Sequence, residues 1–104
     1  MAQAVGILEV YGLTAAFVAG DAGCKAADVT LEVFDRNKPA NADALPVPLI
    51  VIVKFRGEVA AVREAVEAAA AAAETVSGVI TQHISPQPTE DTAIMFKISG
   101  LDKS

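Results

Sequence analysis

Leu49-Ile50-Val51-Ile52-Val53-Lys54-Phe55 decides the fold. This run is almost continuously β-branched or aromatic, which predicts a strand buried on both faces and ending at Arg56-Gly57. Beyond it, Val59, Val62, Val66, Ala69, Ala73 and Val76 recur at three- and four-residue steps, while Glu58, Glu64, Glu67 and Glu74 take other faces. That period predicts a helix with one buried face. Its alanine run, Ala68 to Ala73, favours helix and permits close approach of a neighbouring backbone. Gly78 closes it. Val79 to Ile84 then reads as a strand, stopped by Ser85-Pro86-Gln87-Pro88.

Upstream of the central run, residues 35–48 hold Pro39, Pro46 and Pro48, two asparagines and three alanines, which predicts a long loop. Before it, Val29, Leu31 and Val33 alternate with Thr30, Glu32 and Phe34, the pattern of a strand with one core side. Between Leu13 and Ala27, the residues Leu13, Ala16, Phe17, Gly20, Cys24 and Ala27 mark a buried helical face. Ala4 to Tyr11 is a first strand ending at Gly12. The order β-α-β-β-α-β predicts a ferredoxin-like α/β (α+β) domain, an antiparallel sheet carrying both helices on one face. Thr92 to Ser99 alternates Ile94, Phe96 and Ile98 against Met95 and Lys97, a candidate extra C-terminal strand.

Composition narrows the function. With 104 residues, 53 % of them apolar and 20 % charged, the chain reads as one ordered domain rather than a disordered segment. Much of the apolar content is alanine, so burial against sister subunits is expected to supplement a small core. A net charge of -5 and the lack of a clustered basic patch argue against nucleic acid. The apolar run from Leu45 to Val53 is interrupted by Pro46 and Pro48 and falls far short of the ~20 residues that span a membrane. Met1-Ala2-Gln3-Ala4 does not resemble a secretory signal, so a cytosolic location is expected.

Catalytic chemistry finds little support. Cys24 stands without a second cysteine in an apolar helical setting, which predicts a buried small residue. His83 is the single histidine, expected in a packed or hydrogen-bonded role. The helical glutamates read as a solvated face, with Arg63 and Glu67 spaced to pair. No nucleophile motif, phosphate loop or metal-ligand spacing is present in the sequence, so no enzyme activity, cofactor or metal is expected. The long loop is the exception, because loops of more than about 12 residues in compact domains are usually functional or disordered.

Four segments carry a family resemblance: Ala4-Val5-Gly6-Ile7-Leu8-Glu9-Val10-Tyr11-Gly12-Leu13, Asp21-Ala22-Gly23-Cys24-Lys25-Ala26-Ala27-Asp28-Val29, Arg56-Gly57-Glu58-Val59 and His83-Ile84-Ser85-Pro86-Gln87-Pro88. In this order they resemble the hexamer-forming bacterial microcompartment shell proteins, across residues 4–88, with 89–104 as a C-terminal extension. The resemblance implies a non-enzymatic structural protein of the bacterial cytoplasm. It implies cyclic homo-hexamers that tile, with other shell proteins, into a selectively permeable shell around encapsulated enzymes. Lys25 matches the family's tiling lysine. Gln87 stands where the family usually has an arginine, so one charged donor of the tiling contact is missing. Residues 35–48 replace a short glycine-containing pore turn, making Asp35, Arg36, Asn37, Lys38, Asn41 and Asp43 candidate pore-loop residues. Their charges cancel. An oligomeric ferredoxin-like module binding a small molecule between subunits is the alternative reading.

Overall fold

The computed structural model describes residues 3–32, 34–37 and 50–89. Along the chain run β1 (Ala4–Tyr11), α1 (Leu13–Ala26), β2 (Thr30–Leu31), β3 (Asp35–Asn37), β4 (Ile50–Gly57), α2 (Val59–Glu74) and β5 (Val79–Ser85). The strands form one antiparallel sheet ordered β2-β4-β1-β5, with β3 also paired to β4. This is the ferredoxin-like order expected. The segment 92–99, read as an extra strand, lies outside the described residues, as do the candidate loop residues Lys38, Asn41 and Asp43.

β4 is buried on both faces, as its sequence predicts: Ile50, Val51, Val53, Lys54 and Phe55 all have little exposed surface. Its partners alternate cleanly. Leu8 pairs with Val53, Val10 with Val51 and Gly6 with Phe55, and these residues point toward the helices. Gly6 is required there, since a Cβ would lie 2.7 Å from Val62 Cγ1 and 2.8 Å from Val66 Cγ2. The remaining residues of β1 and β4, among them Val5, Ile7, Ile52, Lys54 and Arg56, form the sheet's second face.

The strand expected over 29–34 is broken in two. Leu31 pairs with Phe55 and Asp35 with Ile52, so four steps on one side match three on β4. One extra residue is therefore accommodated as a β-bulge. In an unbroken strand Leu31 and Phe34 would point to opposite faces. Here both approach Gly20 of α1, where a Cβ would lie 3.2 Å from Leu31 and 3.4 Å from Phe34. The bulge also carries the chain back into register, so Asp35, Arg36 and Asn37 belong to the sheet rather than to the loop predicted to begin at Asp35.

α1 starts at Gly12, whose φ of 88° and ψ of 155° suit glycine and whose carbonyl accepts from Ala16 N at 3.2 Å. Its buried side differs from the expected one. Ala15, Ala16, Ala19, Gly20 and Gly23 face inward, while Leu13, Phe17 and Cys24 are exposed. The reason is α2, whose buried side includes the small residues Ala65, Ala69 and Ala73 and meets α1 at Gly23 and Ala65. Small side chains on both helices let the backbones approach until a Cβ on Gly23 would sit 3.1 Å from Ala65 O. α2 ends at Glu74 rather than Val76, because Thr75 N donates to Ala72 O at 3.1 Å and Val76 N to Ala73 O at 3.0 Å, a tightened last turn. Ser77 Oγ then donates to Tyr11 O at 2.6 Å and ties that turn to β1.

Candidate functional site

Packing α1 on its smallest residues leaves its larger ones outside. Phe17 is 59 % exposed, and Leu13 and Val18 are each 38 % exposed. The Phe17 ring meets Phe34 edge to face, with centroids 5.1 Å apart and planes at 72°, a favoured aromatic geometry. Around this pair Gly20, Asp21, Cys24 and Leu31 line an open, mostly apolar depression of about 440 Å³. The sequence reading missed this surface. Its signal lay in the two phenylalanines, but the bulge that unites them left no mark in the alternation.

Lys25 lies in the last turn of α1, where a cation complements the helix dipole. Its Nζ sits 2.8 Å from Asp21 Oδ2, one turn earlier, and both side chains reach into solvent. The Asp21 hydrogen bond, followed by its negative charge, raises the Lys25 pKa above the ordinary lysine value. Lys25 is thus a cation at neutral pH, paired on the helix surface with Asp21, which lines the apolar depression. The sequence reading missed the Asp21 partner, although the four-residue spacing is its signal.

Cys24 was expected inside and lies outside, because the inward position of that turn belongs to Gly23. Partial burial, and secondarily Asp21, push its thiol pKa up, which keeps it protonated and poorly nucleophilic. His83, expected in a packed or hydrogen-bonded role, is exposed on the sheet's second face opposite Ile7. Gln87 is also exposed, two residues beyond β5. Lys25 and Gln87 do not converge within one chain: α1 packs over β4 and β2, whereas Gln87 follows β5 at the opposite edge of the sheet.

On the second face, Arg56 Nη2 lies 2.8 Å from Glu32 Oε1, joining β4 to the residue that follows β2. Among the described residues no cluster of three or more His, Cys, Asp or Glu is placed to hold a metal ion. None of the described helices is long and apolar enough to cross a membrane.

The comparisons with known proteins agree with this architecture. Residues 4–88 match the BMC domain. The bacterial microcompartment shell protein PduA of Citrobacter freundii is 38 % identical over 89 residues, covering 86 % of each chain. The carboxysome shell protein CcmK3 of Halothece sp. is 36 % identical over 105 aligned residues, covering 99 % of this chain and 94 % of that one. A microcompartment protein from Desulfitobacterium hafniense DCB superposes with a TM-score of 0.72 at 27 % identity, over 95 % of this chain. The present chain spans about half that protein's length, 49 %. The chain belongs to the bacterial microcompartment shell-protein family, whose members have a structural role in the shell.

Proposed function

We propose that this chain forms cyclic homo-hexamers that tile, with further copies and with other shell proteins, into a selectively permeable layer around encapsulated enzymes in the bacterial cytoplasm. The supporting observation is the inverted packing of α1. A small domain that spends its alanines and glycines on the core and leaves Leu13, Phe17 and Val18 outside presents an apolar surface suited to a partner. Rings close when such a surface meets a different surface on the next subunit and the rotation completes a circle.

Lys25 is the proposed tiling residue, working between rings, with Gln87 at the same boundary. Lys25→Ala is expected to leave the ring mass unchanged by light scattering and to abolish sheets seen by electron microscopy. A monomeric wild-type protein at micromolar concentration overturns the ring, and unaltered sheets in the mutant overturn the role of Lys25.

For permeation, the sheet pairing of Asp35, Arg36 and Asn37 shifts the proposed pore-lining role toward Lys38, Asn41 and Asp43. The segment's balanced charge favours selection by size and hydrogen bonding over selection by sign. Replacing residues 38–48 with a short glycine turn is expected to preserve the ring and change conductance through reconstituted sheets. Identical conductance would remove the loop from the pore.

A further inference from the structure

The sheet's second face is turned away from both helices, and no described element lies on it. Its β5 edge, with Thr81 and His83, is exposed, but its centre is withdrawn from solvent: Val5 is 6 % exposed and Lys54 only 5 %. Ile7, Ile52, Arg56 and Glu32 beside them are half-buried. A lysine on an uncovered sheet face extends its ammonium into water, so burial of this kind requires a cover.

We propose that the C-terminal segment 92–99 of the same chain is that cover, with Ile94, Phe96 and Ile98 laid over β1 and β4. The place where the chain leaves β5 supports this. Ser85, the last residue of β5, pairs with Val5, and Pro88 three residues on is buried. The chain therefore leaves at the same end of the sheet as Val5 and its partner Arg56. Five extended residues reach about 17 Å, whereas β4 lies two strand spacings from β5, about 10 Å. Ile94 can thus stand over the centre of the face. Segment 38–49 is the other uncommitted length of chain, but it joins Asn37 to Ile50 at the opposite end, beside Tyr11. It is the natural neighbour of Ile50, not of Val5.

The chemistry is complementary as well. In an extended chain Ile94, Phe96 and Ile98 project from one side at roughly 6.6 Å intervals, the same interval that separates Val5 from Ile7. Glu90 and Asp91 precede them and bring acidic charge to the end of the face where Lys54 and Arg56 stand. The segment acts as a strap that dries this face of the sheet.

A cysteine pair in the full chain tests the placement. In a Cys24→Ser background, Ile7→Cys with Phe96→Cys is oxidised, denatured and weighed without reductant. An intramolecular disulfide in most chains is expected. No link, or a link only between chains, overturns the proposal, as does equal linking when Ala44→Cys replaces Phe96→Cys. An independent measurement is acetylation of Lys54 against the exposed Lys25 in the same protein. Phe96→Asp is expected to raise the Lys54 rate at least tenfold with Lys25 unchanged. Undiminished protection of Lys54 in a folded Phe96→Asp protein overturns the strap, and if that variant fails to fold the cysteine pair decides.

Discussion

Phe55→Ala is expected to destabilise the subunit by about 3–5 kcal/mol, the usual range for emptying a fully buried aromatic site. Phe55 is the largest side chain with no exposed surface, and it stands where the sheet, α1 and α2 meet. Gly23 leaves its ring no spare room: a Cβ there would fall 2.5 Å from the Phe55 ring. The void left by truncation is hard to refill, because the residues around it include Gly23, Ala65 and Gly6, which have no length to extend. Domains of this size hold only about 5–15 kcal/mol in total, so the variant keeps a small margin. Thermal unfolding at fixed protein concentration is expected to shift downward by roughly 12 °C or more. A shift of only a few degrees would mean that the helices close over the gap.

The strand order was legible in the sequence because each strand carries its own local signal. β4 was clearest, since burial on both faces removes alternation and leaves a β-branched run that no surface strand would carry. The break between β2 and β3 was illegible. Both Leu31 and Phe34 belong over α1, and an alternating pattern can accept only one of them. The bulge that reconciles them is set by pairing with β4, which a linear reading does not contain. The same limit displaced the start of the loop, since Asp35, Arg36 and Asn37 look polar and turn-like until their ladder with Ile50, Val51 and Ile52 is known.

The candidate interface was half legible. Lys25 and Gln87 were in view only through the family resemblance, while the Asp21 partner of Lys25 emerged from the structure. The apolar part was misread because hydrophobic periodicity weights large residues. Two stripes run along α1: Leu13, Phe17 and Cys24 on one side, and Ala15, Ala19 and Gly23 on the other. The large stripe looks like the core. Only the alanine run of α2 decides the matter, because two small faces gain a close backbone approach that a phenylalanine would forbid. The residues left outside then become the surface available for assembly.

Gly23→Ala tests this account of the helix seam. In an exposed helix the change would gain up to about 1 kcal/mol from helix propensity. Here the new Cβ would lie 2.5 and 2.6 Å from Phe55 Cζ and Cε1 and 3.1 Å from Ala65 O. A ring wedged among β1, α1 and α2 cannot swing away, and a backbone carbonyl moves only with its helix. The expected result is a net loss of about 1–3 kcal/mol, the cost of overpacking a filled core. Gly20→Ala is the control, since its Cβ meets only Leu31 Cδ2 at 3.2 Å and the Phe34 ring at 3.4 Å, on the less buried rim. It should cost clearly less. The decisive measurement is the double mutant. With Phe55 reduced to alanine the main obstacle is gone, so Gly23→Ala in that background should be neutral or stabilising, a coupling of at least about 1 kcal/mol between residues in contact. Additive losses in urea unfolding would show that the seam yields elsewhere and that Phe55 does not set the approach of the two helices.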